Sequence, residues 1–96
     1  MPYFIYAQDK EGALDIRKAN RDAHLAYIKE NYDNKMIAAG PILSDDGETM
    51  IGSVILINLD DRAAVDAFCA GDPYAKAGLF ANVTINPFKH VFPSKS

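Results

Sequence analysis

Residues 49–59 read TMIGSVILINL and give the strongest strand signal in this chain of 96 residues. Aliphatic and β-branched side chains favour strands because they fit a pleated, half-buried surface. Successive side chains of a strand point to opposite faces. One face therefore carries Ile51, Ser53, Ile55 and Ile57, and the other carries Gly52, Val54 and Leu56. Since a sheet with one face in water alternates apolar and polar residues, this segment is predicted to be a central strand covered on both faces.

Outside that strand, the chain alternates between strand and helix patterns. Further strands are predicted at residues 3–8, at 35–43 and within 79–92, and helices at 13–31 and from Asp60 or Asp61 to a glycine terminator, Gly71. Residues 93–96 are predicted to form a loose tail. The order β-α-β-β-α-β is that of the ferredoxin-like arrangement. The sequence thus predicts one α+β domain over residues 1–96, with a four-stranded antiparallel sheet and both helices on one face.

Composition and charge argue against several classes of function. The net charge is −3 and no run of lysine or arginine exceeds two residues, which disfavours nucleic-acid binding. No apolar stretch approaches the roughly 18 residues of a membrane span, and the first residues lack a secretory signal pattern. The one cysteine, Cys69, cannot form an internal disulfide and is predicted to be a buried, inert thiol. A cytoplasmic location is therefore expected.

The predicted sheet has an apolar face that its two helices cannot cover. In the first strand, Tyr3 and Ile5 oppose Phe4 and Tyr6, so both faces of this strand are apolar as well. An uncovered face of this kind is too large an apolar patch for a soluble monomer. A second copy of the chain is the simplest cover, which predicts a homodimer through the sheet faces. The alternative is a monomer whose C-terminal segment folds across that face.

Three polar side chains share the face of the first helix that is predicted to point inward. At about 100° per residue, Arg17, Arg21 and His24 fall within about 60° of one another. Burying such groups without partners is costly, so each needs an acceptor or a water-filled pocket. The stripe therefore predicts a polar cavity. The alternatives are a histidine bonded to a backbone carbonyl and arginines that extend to solvent.

Asp72 is the candidate acidic partner of His24. It precedes Pro73, which disfavours helical backbone at Asp72 and suits it to cap a short helical turn that begins at Pro73 and runs through residue 77. One carboxylate oxygen could cap that turn while the other faces a pocket. His24 and His90 lack metal-ligand spacing, and no glycine-rich phosphate loop is present in the sequence, so no metal and no cofactor are predicted.

These residues belong to a pattern that spans nearly the whole chain and resembles the YciI-like (YCII-related) family. The matching segments are YAQD at 6–9, Arg17 followed by RDAHL at 21–25, AGP at 39–41, GS at 52–53, DPYAKAGLF at 72–80 and NPFK at 86–89. The resemblance implies a ferredoxin-like fold of the dimeric α+β barrel type. It also implies a catalytic pocket centred on His24 and Asp72. Related barrels include muconolactone isomerases and lyases acting on hydroxylated aromatic compounds, but a likeness of fold does not assign a substrate.

The leading hypothesis is a cofactor-independent isomerase- or lyase-like enzyme for a small anionic or phenolic metabolite. His24 would be its general acid or base, and Asp72 would orient the imidazole. Arg17 and Arg21 would pair with Asp9 or bind a substrate carboxylate. The pocket wall would include Gly40, Pro41 and Ser53. The main alternative is a non-catalytic module in which the same pocket binds or senses a metabolite; a haem-binding or oxygenase relative has less support.

Overall fold

The strand and helix patterns fold in the predicted order. The computed structural model describes residues 1–93, and its elements are β1 (Pro2–Asp9), α1 (Leu14–Asn31), β2 (Met36–Leu43), β3 (Met50–Asn58), α2 (Arg62–Gly71), α3 (Pro73–Lys76) and β4 (Phe80–Pro87). A 3-10 turn over Asp33–Lys35 joins α1 to β2. The short helical turn predicted after Asp72 is α3.

The four strands form one antiparallel sheet in the order β2-β3-β1-β4. The two strands with apolar residues on both faces, β1 and β3, are therefore central, and β2 and β4 are the edges. In the β1–β3 register, Ile5 lies opposite Ile55 and Ala7 lies opposite Ser53. Directly opposite residues share a face of the sheet. The predicted α+β class with a four-stranded antiparallel sheet is confirmed.

The helices pack on one face of the sheet, here called the covered face. The central strands contribute six buried residues to it: Tyr3, Ile5, Ala7, Ser53, Ile55 and Ile57. Val65 and Phe68 of α2 complete the main core cluster and are fully buried. Removing a side chain such as Phe68 from water contributes roughly 1.5–3 kcal/mol to folding. The covered face is thus the hydrophobic core of the domain.

The opposite side of the sheet, here called the open face, packs against no helix of residues 1–93. Its apolar residues are Phe4, Tyr6, Val54 and Leu56 of the central strands and Ala38 and Ile42 of β2. The four central-strand residues are only half-buried. On β4 the open face is polar, with Asn82, Thr84 and Asn86. The apolar area therefore extends over β2, β3 and β1 and stops at β4.

Gly71 ends α2 as predicted, but it does so without the left-handed conformation that helix-ending glycines often adopt. Positive φ values occur at Gly12, Gly47 and Gly78, and not at Gly71. A Cβ atom added to Gly71 would lie 2.5 Å from the hydroxyl oxygen of Tyr27. The helix ends because Asp72 is extended (φ −65°, ψ 124°), as the residue before a proline tends to be. The glycine is thus needed for the close approach of α1.

The remaining differences from expectation lie at the ends of elements. Of the two candidate caps of α2, the structure has Asp61, whose Oδ1 accepts a hydrogen bond from the Ala64 backbone N–H at 2.9 Å. The last strand ends at Pro87. Of the tail predicted to be loose, Pro93 is described and exposed, while residues 94–96 lie outside the described residues. Among residues 1–93, no helix combines the length and apolar character that crossing a membrane requires.

Candidate active site

His24 and Asp72, which are 48 positions apart in the sequence, form a buried pair between α1 and the α2–α3 junction. The imidazole Nδ1 lies 2.8 Å from Oδ1 of Asp72. The residues are 8% and 3% exposed. A carboxylate in this position orients an imidazole and favours the tautomer with its proton on Nδ1. The structure thus brings together the two residues on which the predicted pocket is centred.

The carboxylate of Asp72 is itself fixed by the backbone that follows it. The backbone N–H of Tyr74 donates to Oδ1 at 2.9 Å, so Asp72 caps α3 with Pro73 in the first turn. The same oxygen binds His24. One oxygen on the helix and the other on the pocket was the expected division, whereas Oδ1 has both contacts. Because the cap holds this oxygen in place, the imidazole is held as well.

Tyr74 is the main site residue that the sequence analysis did not identify. Its ring stacks on the imidazole of His24, with 4.0 Å between ring centroids and 15° between ring planes. Tyr74 is 2% exposed, and its burial raises the pKa of its hydroxyl. The available signal was its place directly after Asp72-Pro73, since a residue that close to the cap must lie beside whatever the cap binds. His24 is therefore held in its plane by Asp72 and on one ring face by Tyr74.

Arg17 is buried, and a carboxylate of the protein occupies two of its donor positions. Its Nε and Nη2 donate to the two oxygens of Asp9 at 2.7 and 2.8 Å, and Nη2 also donates to Oγ of Ser53 at 2.9 Å. Burial by itself lowers the pKa of Arg17, but the hydrogen bonds and the charge of Asp9 outweigh it and raise the pKa. Two roles were predicted for Arg17, pairing with Asp9 and binding a substrate carboxylate. In the structure it pairs with Asp9.

Arg21, one helical turn further along α1, has a different environment. It is exposed and forms no ion pair with a carboxylate of residues 1–93. It nevertheless lines the same cavity as His24. Arg21 therefore brings a positive charge to the cavity that no neighbouring carboxylate neutralises, whereas the charge of Arg17 is balanced by Asp9.

A cavity of about 130 Å³ lies between α1 and the covered face of the sheet. Its lining includes six of the predicted site residues: Arg17, Arg21, His24, Gly40, Pro41 and Ser53. The other lining residues are Leu25, Ile28, Ala39, Met50, Ile55 and Tyr74. Asp72 stands behind the imidazole and is not part of this lining. The structure thus brings all seven predicted residues to one site, with a mainly apolar wall.

The second imidazole nitrogen of His24, Nε2, has no hydrogen-bond partner among residues 1–93. Every buried side-chain nitrogen or oxygen in residues 1–93 has a hydrogen-bond partner. Nδ1 is the imidazole nitrogen with such a partner, so Nε2 is not among the buried atoms, and His24 itself lines the cavity. With the proton on Nδ1, Nε2 has a free lone pair. The arrangement can accept a proton from a molecule in the cavity and return it.

Comparison with known proteins identifies relatives over nearly the full length of the chain. Residues 1–89 match the family described as the YCII-related domain. Protein YciI of Escherichia coli O6:H1 is 36% identical over 98 residues, which cover 96% of this chain and 100% of that protein. These two findings agree with the resemblance drawn from the sequence motifs.

Solved structures with the same fold include enzymes. TftG, the 5-chloro-2-hydroxyhydroquinone dehydrochlorinase of Burkholderia phenoliruptrix, has been solved in complex with 2,5-dihydroxybenzoquinone. It is 33% identical to this chain with a TM-score of 0.88, and the match covers 99% of this chain and 100% of TftG. An antibiotic biosynthesis monooxygenase matches with a TM-score of 0.54 at 18% identity over 94% of this chain and 97% of its own, which shows the shared fold alone. The family match over residues 1–89 and the 36% identity to protein YciI show that the chain belongs to the YCII-related domain family.

Proposed function

We propose that this protein is a cofactor-independent acid–base enzyme in which His24 transfers a proton on a small anionic or phenolic compound. The observation that carries the proposal is the geometry of His24. It is buried and lines a cavity, Asp72 binds its Nδ1, Tyr74 stacks on its ring, and its Nε2 has no partner among residues 1–93. An imidazole that is fixed by a carboxylate and keeps one nitrogen for the substrate is the arrangement of many general acid–base catalysts.

The size and lining of the cavity favour a substrate with a single ring. An engineered apolar cavity of about 150 Å³ binds benzene, and the cavity here is about 130 Å³. Its wall is mainly aliphatic, with Leu25, Ile28 and Ile55 among the lining residues. The similarity to TftG, whose name specifies a hydroxylated chlorinated ring, supports the same class of compound.

The charges at the cavity favour an anionic or ionisable substrate. Asp9 balances the charge of Arg17, and Asp72 is bound to His24, so Arg21 is the basic residue of the cavity lining that has no carboxylate partner within residues 1–93. We propose that Arg21 binds the phenolate or carboxylate oxygen of the substrate. A guanidinium there also stabilises the negative charge that develops when a proton is removed.

The proposed reaction begins with His24 as a base. Nε2 takes a proton from a hydroxyl group or an activated carbon of the substrate, and Asp72 stabilises the imidazolium that results. The released electron pair then forms a new double bond. In a lyase reaction the new double bond forms as a leaving group departs from the neighbouring carbon with its bonding pair, and the imidazolium then gives its proton to water. In an isomerase reaction an existing double bond shifts, and the imidazolium returns the proton to another atom of the substrate.

His24→Gln tests this role, and His90→Gln is the matched control because the second histidine is not part of the cavity lining. With 5-chloro-2-hydroxyhydroquinone as the test compound, we expect the His24 variant to release chloride about 10²- to 10⁴-fold more slowly, the usual contribution of a general base. The control is expected to match the wild type. Chloride release by the His24 variant within a few-fold of wild type would contradict the proposal. Binding of 2,5-dihydroxybenzoquinone without turnover of the test compound would favour the non-catalytic alternative.

We also propose that two copies associate through their open faces, in a reducing, cytoplasmic environment. Half-buried Phe4, Tyr6, Val54 and Leu56 form a continuous apolar area that a second copy could cover by a twofold contact. The alternative cover, the C-terminal segment, has less support. Its apolar side chains are exposed, with Val91 at 55% and Phe92 at 78%, as they would not be if they packed across the sheet.

A further inference from the structure

We infer that Tyr74 is a positioning residue for His24, and that the buried Arg17–Asp9 ion pair holds its ring in place. This inference rests on the proposed role of His24 and adds residues that act through it. Asp9 is not among the residues that line the cavity. Its effect on the reaction would therefore be transmitted through Arg17 and Tyr74.

The ring of Tyr74 fits between two side chains of α1. Arg17 and His24 are seven residues apart, which is about two helical turns or roughly 10 Å along the axis at 1.5 Å per residue. The guanidinium carbon of Arg17 lies over the Tyr74 ring, 4.6 Å from its centroid, and the centroid of the His24 ring lies 4.0 Å from it. These two distances, 4.6 and 4.0 Å, together nearly equal the axial separation of Arg17 and His24. Tyr74 is thus clamped between a cation and the imidazole.

The cation of this clamp is fixed by the sheet. Arg17 is 2% exposed, and its guanidinium is bound by both oxygens of Asp9 on β1 and by the hydroxyl of Ser53 on β3. A guanidinium that binds a carboxylate through two parallel hydrogen bonds has its plane fixed as well as its position. Arg17 therefore presents a rigid surface to one side of the tyrosine ring.

The helix that carries Tyr74 cannot fix the ring by itself. α3 has four residues, far fewer than a helix needs to be stable in isolation. Its first turn is held by the Asp72 cap, but that bond fixes the backbone and leaves the aromatic ring free to rotate. The edge contact with Phe80 restrains the ring from one direction, and the stack with Arg17 and His24 adds the restraint on its faces.

The stack completes the positioning of His24. The bond from Asp72 fixes one edge of the imidazole but permits the ring to turn about that bond, which would displace Nε2. A parallel ring at 4.0 Å opposes this rotation. Misplacement of a catalytic group by about 1 Å can cost up to about 10²-fold in rate, so loss of the stack should lower turnover.

The test compares Tyr74→Leu with Tyr74→Phe, which keeps the ring and loses only the hydroxyl. In NMR spectra of the whole protein, wild type and Tyr74→Phe are expected to show a hydrogen-bonded His24 Nδ1 proton that exchanges slowly with water. In Tyr74→Leu that signal should broaden or disappear. With 5-chloro-2-hydroxyhydroquinone, Tyr74→Leu should lower kcat about 10- to 100-fold with little change in KM. Tyr74→Phe should have a kcat close to that of the wild type.

The link to the ion pair is tested with Asp9→Asn, and Asp66→Asn is the control because it removes a carboxylate from the exposed Arg62–Asp66 pair. The Asp9 variant should weaken the Nδ1 proton signal, and the control should not. If Tyr74→Leu does not fold, Tyr74→Met, with its flexible side chain, replaces it. An unchanged Nδ1 signal in the non-aromatic variants or in Asp9→Asn overturns the inference. So does a Tyr74→Phe variant as impaired as Tyr74→Leu, since the hydroxyl would then be the active group. The NMR signal is independent of turnover, so a failure of the proposed enzymatic activity is recognised separately.

Discussion

The two faces of the sheet carry different kinds of side chains, although the same two central strands supply both. On the covered face, apolar core residues lie beside buried polar groups such as Ser53, and each of these groups has a hydrogen-bond partner. On the open face, Tyr6, Val54 and Leu56 are half-buried, and no helix of residues 1–93 packs on them. The covered face is therefore packed and hydrogen-bonded within the chain, whereas the open face lacks comparable contacts.

The difference shows what the helices add besides hydrophobic cover. A buried cation or carboxylate is tolerated only where a partner can reach it. α1 and the start of α3 bring such partners to the covered face: Arg17 meets Asp9 from β1, and His24 meets Asp72. The open face has no comparable source of partners within the described chain. A polar site can thus form on one side of the sheet, while the other side retains apolar residues suited to a partner subunit.

Asp72→Asn is expected to have the largest effect, because it changes the charge of the pair while keeping its shape. The amide oxygen can still accept from the Tyr74 N–H, but it cannot stabilise an imidazolium. We expect the rate of chloride release from 5-chloro-2-hydroxyhydroquinone to fall about 10³- to 10⁴-fold, as for the equivalent change in other His–Asp pairs.

Asp61→Asn is the matched control for that variant. Asp61 also caps a helix through Oδ1, at 2.9 Å from the Ala64 nitrogen, but it is exposed and remote from His24. Thermal unfolding of both variants separates loss of stability from loss of chemistry. Equal activity of the two variants would show that the Asp72 charge has no catalytic part.

Leu56→Asp is predicted to affect the open face alone. A charge at the centre of that face would be buried without a partner in a homodimer, which is strongly unfavourable. Light scattering after size-exclusion chromatography should give twice 10.5 kDa for the wild type and 10.5 kDa for the variant. Ile51→Asp is the control, since Ile51 is 47% exposed and belongs to the other face of β3. A wild-type protein that elutes as a monomer at all concentrations would contradict the proposed dimer.

Arg21→Gln is predicted to weaken substrate binding more than turnover. Loss of a hydrogen bond to a charged group typically costs about 1.5–3 kcal/mol, so KM should rise about tenfold or more. Lys18→Gln, another exposed cation of α1, serves as the control. The expected increase should shrink at high salt, because Arg21 is exposed and its charge is screened. An unchanged KM in the Arg21 variant would place the anion elsewhere.

The fold could be predicted because its determinants are local. The alternation in residues 49–59 and in β1 indicates two central strands with two apolar faces, and the element order then leaves few topologies. Gly71 shows where such local argument ends. A glycine at the end of a helix predicts a left-handed cap, but the residue is required by the hydroxyl of Tyr27 from another helix. That contact is not visible in the sequence around Gly71.

The sequence predicts which residues form most of the site, but not which contacts they make with one another. The helical spacing places Arg17, Arg21 and His24 on one face of α1. It does not distinguish the two arginines from each other, because they are one turn apart and have the same chemistry. Which arginine meets Asp9 depends on the height of α1 relative to β1, a tertiary distance that periodicity does not contain. Tyr74 was missed for a similar reason. Its place after Asp72-Pro73 puts it near the cap, but its stacking on His24 joins residues 50 positions apart and cannot be read from that local position.

The smallest predicted effect concerns Cys69, which has no role in the proposed reaction. It tests whether burial on the covered side of the sheet lowers the reactivity of the thiol. The residue is half-buried, and burial, with the nearby charge of Asp72, raises the pKa of its thiol to about 11. Because the thiolate is the reactive form, alkylation by iodoacetamide should be slow at neutral pH and should accelerate until about pH 11.

The same shift in the pKa of Cys69 has a consequence for stability. The unfolded chain, with a thiol pKa near 9.0, loses its proton first, so the free energy of unfolding should decrease as pH rises from 9 towards 11. Cys69→Ala should remove that part of the decrease, and denatured wild-type protein provides the reference alkylation rate. An alkylation rate that levels off near pH 9 in the folded protein would mean that the thiol is as accessible to solvent as in the unfolded chain.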